Sequence, residues 1–486
     1  MVDHWLALRS ACVTSPRTSV GRTARAMAVL ILVSLTACSS RPRPCSPADV
    51  STKVRCRTGY SFRTVPCDGR VVWPNGASLA DGLTEDEAVL IALWNNAAFQ
   101  ELLTDLGIAR GDLVQAGLLP NPEVVYFFPV SDKPFKYAFD LPIEAFWLRP
   151  IRVAAARRES ARVCNQLTQS ALNLIRDVRQ SYADVLLARG QLRVAEEGVQ
   201  IWGRIAELAE TRLKAGDISV QEAAAAKIDA LRAQQDAARI AFESPVAEQR
   251  LRNLMGTPFD GSPLAIDDTA PPVGEELDVD LLTAEAVAAR PDALAAQQNA
   301  AAAAERSRLA RIGWVRLLGI GDATSGTRTG HEFGPAIRVT LPLFHRNQGN
   351  IARADAEWEK ARRHRIAVRD QIVLDVRQAH YRYAQARAEF AVLDTRVRPD
   401  VEAAIRRAQR AYLEGQTSYI VVLETTRRLL DARLRQEQLH AELRRSWAEL
   451  ERSVGRRLSS SSVEEVAQPD YISPQSQLLA SERMHR

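Results

Sequence analysis

The sequence predicts a mainly α fold with a small β part, built from one long unit that occurs twice. The first observation is self-similarity. Leu83-Thr84 recurs as Leu282-Thr283, Leu141-Pro142 as Leu341-Pro342, and Asp177-Val178-Arg179-Gln180 as Asp375-Val376-Arg377-Gln378. Gly216-Asp217-Ile218-Ser219 is echoed by Gly415-Gln416-Thr417-Ser418, and Leu251 to Gly256 closes the first copy as Leu450 to Gly455 closes the second. The offset stays between 198 and 200, so this is a duplication of a unit far longer than a solenoid repeat.

The second observation is a heptad in each copy. Ala171, Val178, Val185, Leu192 and Val199 are spaced by seven, and Leu167, Leu174, Ala188, Ala195 and Trp202 run four residues ahead. The second copy repeats this with Val376, Tyr383, Phe390 and Val397, and with Ile372, Ala379, Ala386 and Leu393. A 4–3 alternation of apolar residues is a helix seam, and the alanines let helices approach closely. No proline lies between Ile151 and Ser244, and a helix from Arg152 to Leu213 would span about 93 Å. A solvated coiled-coil stalk would show the same periodicity.

The third observation is a pair of β-like runs before each long helix. Phe135, Tyr137, Phe139 and Leu141 alternate with Lys136, Ala138 and Asp140, after the apolar run Val124 to Phe128. Ile337, Val339 and Leu341 alternate with Arg338 and Thr340, after Trp314 to Ile320. The polar stretches Ser131 to Pro134 and Ala323 to Glu332 read as turns. Period two describes a half-buried strand, either in a soluble hairpin or in a membrane barrel with aromatics toward lipid. Four strands cannot close a barrel, so the membrane reading demands an oligomer.

The chain has 486 residues, 46% of them hydrophobic, and its net charge of +5 is too small to suggest nucleic acid as a partner. Arg17, Arg22 and Arg25 precede the apolar stretch Ala26 to Leu35 and then Leu35-Thr36-Ala37-Cys38. This resembles the lipobox of bacterial lipoproteins, which implies cleavage before Cys38 and acylation of that cysteine, and Ser39 implies export to the outer membrane. A plain signal peptide with a chance cysteine is the alternative. Cys12 would leave with the signal. Cys45, Cys56 and Cys67 are eleven apart; an oxidising periplasm allows one disulfide among the three, and the odd count leaves a thiol over. With no nearby histidine they make a weak metal site.

Gln115-Ala116-Gly117-Leu118-Leu119-Pro120-Asn121-Pro122-Glu123 resembles the approach to the first hairpin in TolC-like outer-membrane efflux proteins. Leu341-Pro342-Leu343-Phe344, followed by Arg346-Asn347-Gln348-Gly349-Asn350-Ile351-Ala352, is similar to the second-hairpin exit of the heavy-metal branch (CzcC/CusC-like). Tyr412 to Ser418 resembles the turn at the periplasmic tip. The resemblance implies a homotrimer. Each protomer would give four strands to a 12-stranded outer-membrane β-barrel and long helical hairpins to a trimeric α-barrel. It also implies a periplasmic adaptor (membrane fusion protein) and an inner-membrane RND-type pump as partners. The organisation expected is a signal peptide at 1–37, a lipidated linker at 38–82, a first repeat at 83–256, an equatorial linker at 257–280, a second repeat at 281–455 and a disordered tail at 456–486. Pro399 is expected to kink the second long helix near the equatorial belt.

No P-loop, GxSxG or HExxH occurs, the histidines form no i,i+4 pair, and no cofactor or metal is expected. The tip turns Gly216, Asp217, Ile218, Ser219 and Gly415, Gln416, Thr417, Ser418 are the candidate adaptor contacts. Just past them, Glu222 and Glu424 are gate candidates by resemblance, or ordinary solvated glutamates. Val421 stands where the family pattern has a gate aspartate. The expected function is a passive export duct in the outer membrane of a Gram-negative bacterium, for heavy-metal cations. A duct for drugs or secreted proteins, and a periplasmic coiled-coil scaffold without a pore, are the alternatives.

Overall fold

The computed structural model describes residues 44–66, 69–74, 82–128, 135–259, 261, 264–267, 277–314, 317–326, 330–339 and 343–458. Residues from Cys45 onward belong to one unit, and the unit before it, Met1–Pro44, lies outside the described residues except for Pro44. Cys12, Cys38, Cys67 and the tail from Ser459 are therefore also outside them.

The stretch read as a linker contains a helix, α1 (Pro47–Thr58). Ser46 and Asp49 cap each other's backbone N–H, Pro47 sits in the first turn, and Gly59 ends the helix at φ 83°. Val50, Val54 and Thr58, at i,i+4 spacing, form its buried face. The disulfide that forms joins one of the three to the long helix instead of pairing two of them. Cys45 is bonded to Cys164, 119 residues on, and Cys56 is a free, exposed thiol. The reason is packing. The apolar face of α1 lies against the long helix of the first repeat, where Lys53 Nζ donates to Asn165 Oδ1 at 3.0 Å.

Three further helices precede the first hairpin. They are α2 (Glu85–Asn95), α3 (Ala97–Leu103) and α4 (Asp105–Gly117). Asn96 takes an extended conformation and caps α3 through Phe99 N–H, which breaks the run. Strands β1 (Glu123–Phe127) and β2 (Phe135–Pro142) lead into α5 (Glu144–Ala215), whose 72 residues span about 108 Å. Its seam is buried as the heptad requires, with Ala171, Val178 and Val185 wholly enclosed. The chain returns through α6 (Val220–Ile240) and α7 (Glu243–Met255), and ends the repeat at Gly256, φ 75°. There the Asn95 carbonyl packs so closely that no Cβ would fit.

The second repeat contains α8 (Val279–Ala289), α9 (Pro291–Ile312), β3 (Leu317–Gly326), β4 (Gly330–Val339), α10 (Gln348–Val392), a π-turn (Leu393–Val397), α11 (Arg398–Leu413) and α12 (Tyr419–Val454). Strands β3 and β4 run further into the glycine-bearing stretch than the alternation predicts. Residues expected in the turn pair instead, Ala323 with Tyr137 and Glu332 with Thr324. The four strands form one antiparallel sheet in the order β1-β2-β3-β4, with β2 and β3 joining the repeats. The Leu341-Pro342 echo lies outside the described residues.

Pro399 is accommodated by the π-turn, in which Arg398 N–H bonds Leu393 O, five residues back. The wider turn relieves the carbonyl that a proline ring would strike in a regular helix. It also inserts one residue into the heptad. Val397, expected in the seam, is exposed, and the buried positions resume one residue late at Ile405, Ala408 and Tyr412. The offset between copies rises there from 198 (Val178 to Val376) to 199 (Ala209 to Ala408). The described part of the belt loop does not reach the turn. The belt loop packs at Tyr182 and Arg189, whose side chains reach the carbonyls of Asp267 and Leu264, and Ile201, the first-copy neighbour of Pro399, lies about 18 Å further along α5 than Arg189.

Charged groups clamp the middle of the molecule. Arg179, buried, pairs with Glu451 and with Glu85 at 3.1 Å, and donates to Tyr60 Oη at 2.8 Å. Arg57 donates to the carbonyls of Ala289 (2.7 Å) and Gly455 (3.2 Å), tying α1 to the second repeat. Asp375 receives Arg290 at 3.1 Å and Arg452 at 3.3 Å. Burial would raise its carboxyl, but the Gln371 hydrogen bond and the two guanidiniums outweigh this and hold it below the usual carboxylate range. Asp86 is likewise low, with burial outweighed by the Tyr60 hydroxyl, Arg457 and Arg179, whereas burial raises Glu85.

Two outcomes follow from this packing. Cys164→Ser should cost about 2–4 kcal/mol of stability, and reductant should lower the melting temperature of wild type to that of the variant. A wild type indifferent to reductant would count against the crosslink. The depressed Asp86 and Asp375 stabilise the fold above about pH 4, and this is lost as pH falls through their folded values. Asp375→Asn should therefore lower Tm at neutral pH and flatten its fall below about pH 4. An unaltered acid limb would contradict the assignment.

Candidate functional site

The two predicted tip turns come together at one end. Both are closed by the same cap. Gly216 (φ 81°) lets Asp217 N–H reach Arg212 O at 2.9 Å, and Gly415 (φ 71°) lets Gln416 N–H reach Ala411 O at 2.8 Å. Gly216, Asp217, Ser219, Gly415, Gln416 and Ser418 are exposed, Thr417 is half-buried, and Ile218 packs on the cluster beneath. That cluster mixes the repeats: Trp202, Ile205, Ala209 and Ala226 come from the first, Tyr412, Tyr419 and Val422 from the second.

Polar links join the same two hairpins. Arg212 lies 4.7 Å over the Tyr412 ring and donates to Tyr412 O at 3.2 Å. Asp229 accepts from Tyr419 Oη at 3.2 Å and pairs with Arg427 at 3.3 Å. Burial, and then the Asp229 charge, push the Tyr419 hydroxyl well above its ordinary range. The sequence reading missed these residues. One signal was present: Asp229 stands 198 residues before Arg427, within the drift of the repeat offset, with the opposite charge.

Glu222 is exposed and caps its own helix. Its Oε2 accepts Ser219 N–H at 3.2 Å while Ser219 Oγ accepts Glu222 N–H at 3.2 Å. Glu424 is exposed and pairs with Arg428 at 3.0 Å, one turn on. Neither is brought against the other repeat in the protomer. Val220, Leu413 and Ile420 leave large apolar side chains exposed around the turns.

The opposite end is the sheet. Strand register places Val124, Tyr126, Tyr137, Phe139, Leu141, Ile337 and Val339 on one side, with Tyr126 and Tyr137 rings 5.0 Å apart. Glu123, Lys136, Asp140, Asp322 and Arg338 fall on the other. Exposed Phe146, Leu343 and Phe344 flank the sheet where the helices leave it. Among the described residues no helix is long and apolar enough to cross a membrane, which says nothing of strands. Among them, too, no group of three or more His, Cys, Asp or Glu could hold a metal ion.

This architecture has known counterparts. The profile of outer membrane efflux proteins matches residues 132–257 and 282–456, the two repeats. The chain belongs to the outer membrane efflux protein family. It is 28% identical over 400 residues to the cobalt-zinc-cadmium resistance protein CzcC of Cupriavidus metallidurans, covering 79% of this chain and 92% of that one. Its fold is shared with CusC (TM-score 0.65, 17% identity, 85% of this chain and 98% of that one). The outer membrane protein VceC of Vibrio cholerae shares it as well (TM-score 0.64, 17% identity, 77% and 97%).

The tip links carry a measurable consequence. Asp229→Asn removes one charge-assisted contact between the hairpins, so amide exchange in 220–230 and 415–427 should quicken about tenfold while the sheet and equator stay protected. Unchanged exchange at the tip would show that Asp229 does not hold it.

Proposed function

We propose that three copies of this chain close a 12-stranded barrel in the outer membrane and a hollow α-barrel beneath it, forming a passive export duct. The observation that carries this reading is a four-stranded sheet with an exposed apolar side and, among the described residues, two unpaired edges, continuous with a helix of about 108 Å. Unpaired edges next to lipid demand closure, and two further copies supply it. The exposed glycine-bearing turns and the apolar residues around them suit docking by a periplasmic adaptor, with an RND-type pump supplying energy elsewhere. Likeness to a cobalt-zinc-cadmium resistance protein supports heavy-metal cations as cargo. Acylation of Cys38 would anchor the chain to outer-membrane lipid.

Glu222 and Glu424 are proposed as rings of three carboxylates near the tip entrance, favouring cations. Gln at position 222 keeps the reciprocal cap and removes only charge, so it tests the gate without unravelling the helix.

Detergent-solubilised protein should show three times the mature mass by light scattering and discrete single-channel currents in planar bilayers. Glu222→Gln with Glu424→Gln should reduce cation preference. A monodisperse monomer without conductance would overturn the duct, and unchanged selectivity in a conducting double variant would remove these glutamates as the gate.

A further inference from the structure

The charged residues of the sheet differ in how well they are compensated. Lys136 on β2 pairs with Asp322 on β3 at 2.7 Å, a tight contact across the junction of the repeats. Nearer the start of β1 and β3, Asp140 faces Arg338 at 3.9 Å, and Glu123 lies directly opposite Asp140 in the β1–β2 register. Directly opposed residues share one side of a sheet, so Glu123 joins these charges. Among the described residues Glu123 makes no ion pair, and it is exposed. At the level of Glu123 two carboxylates thus stand against one guanidinium, while the register also puts Glu332 on this side of the sheet, opposite Thr324 in the Lys136 row.

We propose that Glu123 sets the charge preference of the barrel bore at the end where the helices begin. The inference rests on the barrel reading above, in which the apolar side meets lipid and the charged side lines the bore. Threefold repetition turns each surplus carboxylate into a ring of three. A contact pair acts on a passing ion as a dipole, whose field fades faster than that of a lone charge. At about 8 Å, one Debye length in physiological salt, three uncompensated carboxylates still enrich cations about two- to threefold and deplete anions by a similar factor, a bias of about sevenfold. The Arg338 guanidinium is already shared with Asp140, so it cannot cancel both carboxylates. The position is also the last residue of the Pro120-Asn121-Pro122-Glu123 approach, where the prolines bar helix and deliver the carboxylate to the first pair of the sheet.

The test is the reversal potential of full-length trimers in planar bilayers under a potassium chloride gradient. Glu123→Gln should lower the potassium-to-chloride permeability ratio by up to about sevenfold, and Lys136→Gln, which frees Asp322, should raise it by a similar factor. Lys136→Gln with Asp322→Asn should return it to the wild-type value. A conducting Glu123→Gln trimer with the wild-type ratio overturns the assignment while leaving the duct intact. If the Glu123 variant does not assemble, the Lys136→Gln ratio decides, and no rise overturns the proposal. Wild-type protein that neither trimerises nor conducts overturns the duct and this inference together.

Discussion

Pairing of β2 with β3 is the contact on which the rest of the molecule depends. Each repeat brings a two-stranded ribbon, which is marginal alone. The antiparallel register from Phe135–Ser325 to Pro142–Leu318 makes one sheet of the two ribbons. Because α5 begins two residues after β2 and α10 follows soon after β4, that register also fixes where both long helices start. Their seams can then meet, and their far ends arrive together as one tip. The same pairing leaves β1 and β4 with open edges in the protomer, so the contact that completes the chain internally is also what makes further copies necessary.

The repeats are not used alike. Val178 and Val376 hold equivalent seam positions and both are fully buried, yet the neighbouring charges diverge. Arg179 is enclosed by Tyr60, Glu85 and Glu451, while Arg377 stays exposed and pairs with Asp280 at 3.1 Å. In the second copy a buried guanidinium is supplied by Arg290, which pairs with Asp375. What breaks the equivalence is the N-terminal helix, present once, which the disulfide and Arg57 fasten against the first repeat and the ends of the second. A buried arginine is tolerable there because several partners satisfy it, and removing one would leave a costly unpaired charge.

At the tip, coupling runs between repeats. The Arg212–Tyr412 stack and the Asp229–Tyr419–Arg427 links bind two hairpins whose routes differ by one residue, the insertion absorbed by the π-turn. Rephasing the seam at Leu393 is what turns Tyr412 inward, so a local backbone irregularity sets a contact more than four helical turns away.

Much of this was legible in the residues. The duplication, the heptads, the alternating strands and the turn glycines are periodic, and periodicity survives in one dimension because each residue needs only its own element. The one-residue drift in the offset even marked the π-turn, and Ser46-Pro47-Ala48-Asp49 marked the start of α1. The residues that decide electrostatics were not legible as partners. Cys45 finds Cys164, and Arg179 finds Glu451, at sequence separations of 119 and 272. Glu222 looked like Glu424, yet one carboxylate caps a helix and the other meets Arg428. Sequence determined which faces are apolar and where the chain turns. Only tertiary structure decided which charges meet, because ion pairing and burial depend on distances between elements, and those are fixed by packing.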